Sequence, residues 1–346
     1  MRISIVGATG YTGAELLRIL ASHPAAEVVY ITSESQPGTA IHDIYPHLTK
    51  FYAQALASLA DLAKIARESE VIFIGLPHGH AMEVGRKATA INPNVKIIDL
   101  GADYRFKNHA IYEQWYKVEH THKTAQAVYG LTELNRSQVK DAAIIGNPGC
   151  YTTASILALA PLVKHQLVDV SSLIIDAKSG VSGAGRGLNL GSHFTEVFES
   201  VKAYNVAGHR HTPEIEAALS EIAGQELVIS FTPHLIPVAR GILSTCYARL
   251  NDGVSPADVD AAYNAAYGDE YFIRLLGRGG YPATKNTRGT NFCDIGWHID
   301  QRTGRVIAIA AIDNLVKGAA GQAIQNMNVM FNIDERAGLD HAPLYP

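Results

Sequence analysis

The chain has 346 residues and only three cysteines, Cys150, Cys246 and Cys293. Cys150 is the one whose setting alters what a thiol can do. It lies in GNPGCYTTASILALAPL, residues 146–162, between a Gly/Pro turn and an apolar run of helical length. A helix start puts positive partial charge and unpaired N–H groups beside the sulfur, which favours thiolate over thiol. The same N–H groups can hold an oxyanion, and Gly149 leaves room for a substrate. The competing role is a small buried core residue, the usual fate of a free cysteine. A thiolate needs a proton-handling partner, and GHRHTPE, residues 208–214, carries His209 and His211 ahead of a helix. Two apart in extended chain, their side chains point the same way. His209, on the loop beside Gly208, has the freedom to reach a thiol and is expected to be the acid–base. His211, next to the helix start with Thr212 as its expected N-cap and Pro213 in its first turn, is expected to contact substrate. An H-x-H pair can also ligate a metal. No second cluster with ligand spacing accompanies it, and the similar pair His120/His122 has no carboxylate cluster, so no metal site is expected. Arg105 in GADYRF and Arg240 in PVARG each end a strand-like stretch. Each suits a bidentate clamp on a carboxylate or phosphate, or a surface ion pair, and the residues alone leave both open.

A second motif points to a cofactor. GATGYTG places Gly7, Gly10 and Gly13, with Thr9, Tyr11 and Thr12, directly after a strand and at the opening of a helix. Such glycines permit a tight turn and a close backbone approach to a pyrophosphate seated on the helix N-terminus. The spacing is GxxGxxG rather than GxGxxG. The next strand ends in ITSESQPG, where Thr32, Ser33 and Ser35 suit a 2′-phosphate. Glu34 is the residue an NAD site would turn onto the ribose, and no Arg stands in the stretch. The balance favours NADP(H).

The elements that must position these groups follow a recognisable rhythm. RISIV (2–6), EVVYI (27–31), VIFIG (71–75), VKIID (95–99) and AAIIG (142–146) read as short buried strands. Helical patterns such as 13–23 and 80–90 lie between some of them. This alternation predicts an α/β fold with a Rossmann-type, doubly wound parallel sheet. Residues 100–141 read as long irregular loops. After Cys150 the strands alternate apolar with polar, predicting a second α+β domain with a mixed or antiparallel sheet. The long helical pattern 315–331, which contains Gly318 and Gly321, is expected to return to the first domain. The expected division is 1–149 plus 314–346 for dinucleotide binding, and 150–313 for catalysis, substrate and oligomerisation.

Composition narrows the partners. Hydrophobic residues make up 47% and the net charge is −4, so the core is ample and neither nucleic acid nor an anionic membrane is the expected partner. An odd number of scattered cysteines without a CxxC pattern argues for a reducing, cytoplasmic compartment. The N-terminus MRISIVGATG lacks the features of a signal peptide.

Taken together, GATGYTGAELLRIL, GLPHG, IDLGADYRF, YGLTEL, GNPGCY, KSGVSGAGR, AYNVAGHRHTPEIE, PHLIPVARGI and VKGAAGQAIQNMN resemble, in order and nearly end to end, the signature blocks of the N-acetyl-γ-glutamyl-phosphate reductase family. That family is related to aspartate-semialdehyde dehydrogenase and, more distantly, to glyceraldehyde-3-phosphate dehydrogenase. The resemblance implies NADPH-dependent reduction of an acyl phosphate to an aldehyde in arginine synthesis, through a thioester on Cys150. It implies that the HRHTPE block, Glu214 included, supplies base and substrate contacts, and that Ser182 and Gly183 lie near the nicotinamide. It also implies a homo-oligomer, dimer or tetramer. Ile242 in PVARGI stands where the semialdehyde dehydrogenases tend to carry their catalytic His, which separates the chain from them. Two rivals are a sister reductase acting on a carrier-bound acyl phosphate, which a basic groove would mark, and a non-catalytic NADP sensor, which would lack the Cys or the His block. No concentrated basic segment is present, whereas the Cys and the His block both are.

Overall fold

The computed structural model describes residues 1–345. The chain forms two compact units, one of Met1–Gly149 with Ala319–Asp340, the other of Cys150–Gly318 with the residues from His341 onward. Residues 314–318 and the last segment thus fall in the second unit, not with the first as the expected boundary had it. Local bonds explain the difference. The Asp313 carboxylate holds the N–H groups of Leu315 and Val316, and His341 Nε2 bonds the carbonyl of Gly289.

In the first unit, β1 (Arg2–Val6), β2 (Glu27–Ile31), β3 (Val71–Ile74), β4 (Lys96–Asp99), β5 (Ala127–Tyr129) and β6 (Ile144–Gly146) pair in the order β2-β1-β3-β4-β6-β5. Every pairing is parallel. Consecutive residues such as Val71, Ile72, Phe73 and Ile74 are all fully buried, so both faces are covered and an unbroken apolar run is the stable choice. The segment 100–141 is not irregular: it holds the helices His109–Tyr116 and Thr132–Asp141 and the strand β5. The helix Thr132–Asp141 escapes a hydrophobic-period reading because its contacts are polar. Gln322 Nε2 donates to Thr132 Oγ1 (2.9 Å), whose hydroxyl donates to Asn326 Oδ1 (2.7 Å), and Gln325 Nε2 donates to Glu133 Oε1 (2.9 Å). Gln322, Gln325 and Asn326 lie on the helix Gly321–Met330 and are fully buried.

The second unit has β7 (Val168–Gly180), β8 (Lys202–Ala203), β9 (Ser230–Ile236), β10 (Ile242–Leu250), β11 (Ile273–Arg278), β12 (Cys293–Asp300) and β13 (Arg305–Ile312). Their order is β11-β12-β13-β10-β7-β9-β8, with β7/β9 and β11/β12 parallel and the other pairings antiparallel. On β10, Ile242, Ser244, Cys246 and Ala248 are buried while the intervening residues stay partly open. The helix Cys150–Lys164 packs on this buried face. Its residues 151–163 are all buried. Pro161 lacks the N–H that would bond the carbonyl of Leu157. Tyr267 fills that vacancy by donating its hydroxyl to Leu157 O at 2.9 Å.

Candidate active site

The cofactor motif comes first along the chain. Gly7 takes φ +81°, open to glycine, and a Cβ there would stand 2.6 Å from the carbonyl oxygen of Gly75. A Cβ on Gly13 would stand 2.4 Å from the carbonyl oxygen of Ala8. Gly10 is different: a Cβ would meet nothing within 4 Å. Gly10 caps the helix Tyr11–Leu20 from extended backbone and has no side chain to bond the first-turn N–H groups. Two glycines therefore close the turn, while the third leaves an open cradle before uncapped donors; this fits a dinucleotide pyrophosphate. Beside the cradle, Thr32 Oγ1 accepts from Gly7 N (3.3 Å), and the hydroxyls of Thr9, Ser33 and Ser35 form a chain at 3.5 and 3.2 Å. Glu34 is folded away, its Oε1 accepting from Leu59 N (2.6 Å) and Ser58 Oγ (3.3 Å).

Four bonds pin Asn147, three residues ahead of Cys150. Its N–H donates to Asp99 O (2.8 Å) and its carbonyl accepts from Arg105 Nε (2.7 Å). Its Nδ2 donates to Ala319 O (3.1 Å) and its Oδ1 accepts from Asn326 Nδ2 (3.0 Å). Arg105 also donates to Leu100 O and is only 9% exposed. This arginine is thus turned onto the chain leading to the cysteine. Its neighbour Asp99 is fully buried, and burial with the adjacent Asp103 charge pushes its carboxyl up to about 7.

Cys150 opens the helix Cys150–Lys164 and is the only one of the three cysteines that is not buried. Burial pushes the Cys246 thiol up to about 12. Nearby on the same unit lies an aromatic and imidazole cluster. Tyr204 OH donates to Tyr151 OH (3.2 Å), which donates to His234 O (3.0 Å). The His209 ring packs edge-on against Tyr151, Tyr204, Phe231 and His211, at centroid distances of 4.8–5.6 Å. Left-handed backbone at Asn205 (φ 46°) and Ala207 (φ 56°) turns the loop between Tyr204 and His209. Burial, helped by the Arg210 charge, lowers His209 to about 4. Its Nδ1 accepts the backbone N–H of His211 at 3.0 Å. The neutral ring must then carry its proton on Nε2, so His209 presents a donor there. His211, not Thr212, is the N-cap of the helix Thr212–Ala223, with Pro213 in its first turn. Glu214 is buried and accepts from Thr152 Oγ1 at 2.8 Å.

Arg240 Nη1 pairs with buried Asp313 at 3.4 Å, with its own side chain 27% exposed. Ser182 Oγ accepts from Asn314 Nδ2 (2.9 Å), and Asn314 Oδ1 accepts from Gly241 N (2.7 Å). A Cβ on Gly183 would stand 2.9 Å from Ser179 Oγ. Sequence reasoning passed over Asn147, Tyr204 and Asn314. Only Asn147, inside GNPGC, carried a local signal. Among the described residues no three His, Cys, Asp or Glu side chains gather as metal ligands, and no helix is long and apolar enough to cross a membrane.

Two family models match: the semialdehyde dehydrogenase NAD binding domain over residues 2–142 and the semialdehyde dehydrogenase dimerisation domain over 150–314. A protein of Pelotomaculum thermopropionicum named N-acetyl-gamma-glutamyl-phosphate reductase is 54% identical, over 100% of this chain and 99% of its own. The chain belongs to the N-acetyl-gamma-glutamyl-phosphate reductase family. Its fold is shared more widely. The crystal structure of aspartate semialdehyde dehydrogenase II from Vibrio cholerae superposes with a TM-score of 0.71 at 16% identity, covering 96% of this chain and 98% of that one. The Candida albicans aspartate semialdehyde dehydrogenase with NADP gives a TM-score of 0.70 at 16% identity, covering 96% and 99%. The two matched domains meet in the chain between residues 142 and 150, the second beginning at Cys150.

Proposed function

We propose that this chain reduces N-acetyl-L-glutamyl 5-phosphate to N-acetyl-L-glutamate 5-semialdehyde and phosphate, at the expense of NADPH, in arginine biosynthesis in the cytoplasm. The observation that carries the mechanism is Cys150, the single unburied cysteine, placed as the first residue of a long buried helix. A helix N-terminus favours thiolate over thiol. The sulfur attacks the acyl carbon, the C–O bond to phosphate breaks, and a thioester remains on Cys150. When bound, the nicotinamide supplies the hydride that reduces this thioester. The resulting hemithioacetal oxyanion collapses by expelling the sulfur, giving the aldehyde and restoring the thiolate. His209, neutral and with Nε2–H available, donates to that oxyanion, as do the backbone N–H groups at Cys150. A covalent stage splits one hard step into two.

The cradle of Gly7, Thr9, Gly10, Tyr11, Thr12 and Gly13 holds the pyrophosphate. Ser33 and Ser35 take the 2′-phosphate, with Glu34 already committed to Leu59, and Ser182 and Gly183 serve the nicotinamide side. His211, Glu214 and Arg240 are the substrate contacts, and Arg105 acts through Asn147. A second copy of the chain covers the open face of the larger sheet. On that face Ile174 and Ile307 flank Tyr247, and Ile309 pairs with Thr245, a row too apolar to be left in water. The test is NADPH oxidation with N-acetylglutamyl phosphate beside aspartyl phosphate. Turnover with the first alone supports the assignment; turnover with the second alone, or with neither, removes it.

A further inference from the structure

The helix pattern at 315–331 contains a glycine, Gly318, in a segment where glycine costs about 1 kcal/mol against alanine. Conformational freedom does not explain it, since Gly318 is absent from the residues with positive φ. A close approach does. A Cβ built on Gly318 would stand 2.8 Å from Cys150 Cβ, 3.1 Å from Cys150 Cα and 3.3 Å from Ile312 Cδ1. The backbone of residue 318 therefore lies directly against the carbon that bears the sulfur.

The local backbone is unusual as well. Val316–Ala320 is a π-helical turn, and Gly318 N donates to Asp313 O, five residues back, at 3.0 Å. π-turns are rare and cluster at functional sites. This one is anchored from below: the fully buried Asp313 carboxylate accepts from Leu315 N (2.8 Å), Val316 N (3.2 Å) and Gly289 N (2.7 Å), and pairs with Arg240. An independent contact comes from the next residue, whose carbonyl, Ala319 O, holds the side chain of Asn147. Consecutive residues of one turn thus touch the cysteine and the loop that leads to it. Cys150 cannot yield by sliding its helix, because residues 151–163 are buried on every side.

We infer that the π-turn at Val316–Ala320 is the positioning element of the nucleophile, with Gly318 as the residue that sets where the Cys150 sulfur stands. The inference rests on the thiol chemistry proposed above, so its test includes a readout that needs no substrate: the rate of alkylation of Cys150 by iodoacetamide across pH. Gly318→Ala displaces the Cβ of Cys150, and misplacement of a reacting atom by about an ångström costs on the order of 10²-fold. The expected result is a kcat lower by about 10- to 100-fold, with KM and NADPH affinity within about twofold of the parent, and an altered alkylation profile. Ile312→Val removes the methyl on the other side of the turn, so Gly318→Ala/Ile312→Val should recover part of the loss. Parent-like alkylation in a folded Gly318→Ala protein overturns the inference, even if its Tm falls or its KM rises. If Gly318→Ala does not fold, Asn147→Ala, which unties the loop from Ala319, decides by the same two readouts. An inactive parent whose alkylation still changes on substitution would refute the substrate assignment and leave the positioning role standing.

Discussion

At the scale of single residues, the protein separates one accessible thiol from two buried ones. Cys150 is accessible at a helix start, whereas Cys246 and Cys293 are fully buried, the former with its thiol pushed up to about 12. Iodoacetamide at pH 8 is expected to label Cys150 alone, and Cys150→Ser to abolish turnover while NADPH still binds. Cys246→Ser and Cys293→Ser should keep turning over; normal turnover by Cys150→Ser would end the thioester route. His209 makes a subtler test. If it acts as a neutral donor, His209→Ala should lower kcat by about 10²–10³-fold. His209→Gln, which restores an N–H near the position of Nε2, should recover part of that loss. Its folded pKa is lowered to about 4 by burial, so the neutral ring persists at every pH above that value and charges only below it. The kcat–pH profile should therefore show no limb from His209 near 6.5, the ordinary histidine value. A break there that disappears in His209→Ala would show His209 gaining and losing a proton as the acid–base instead. The two arginines differ in the same spirit. Arg105→Lys loses the fork that holds Asn147 and should lower kcat more than it raises KM. Arg240→Lys should mainly raise KM. Unchanged constants in both would demote them to structural partners.

At the scale of elements, each glycine of the first turn has its own physical reason. Gly7 and Gly13 are required by contacts and Gly10 by open space, and the Ser33–Ser35 hydroxyls stand beside them with Glu34 turned away. NADPH should exceed NADH in kcat/KM, and Ser33→Ala/Ser35→Ala should narrow the ratio by tenfold or more, since a hydrogen bond to a charged group contributes about 1.5–3 kcal/mol. A parent ratio at or below one would show that Glu34 swings back to a ribose. The Val- and Ile-rich strands were legible because runs of the right length admit few alternatives, and β1 and β2 match their expected spans residue for residue, whereas β5 lay inside the stretch read as loops. The helices His109–Tyr116 and Thr132–Asp141 were not legible. Their buried residues are Tyr112, Tyr116, Thr132, Glu133 and a single aliphatic, Val139, so no hydrophobic period announces them. The same physics hid the roles of Asn147 and Gly318. What each does is defined by a contact with a segment far along the chain, and a residue's own type says little about that.

At the scale of the whole molecule, the open face of the larger sheet predicts assembly. Tyr247→Glu places a charge at the centre of the row formed by Ile174, Tyr247 and Ile307, and should shift the protein toward monomer in light scattering without loss of helical circular dichroism. An unchanged mass would move the interface elsewhere. The division of the chain has a consequence in time. The first unit includes Ala319–Asp340, and its helix Thr132–Asp141 finds polar partners there, on Gly321–Met330 and at Glu335. A ribosome adding about 5–20 residues per second needs roughly 10–30 s to make the intervening stretch. For that interval the nascent first unit shows an unfilled, polar-lined slot, and it cannot close until residues 150–318 of the second unit have been made. A fragment ending at Gly149 should accordingly bind chaperones or aggregate, and a peptide spanning 319–340 supplied in trans should rescue its solubility. If the fragment is soluble and protected from amide exchange by itself, the last helix is an ornament to the first unit and not its keystone.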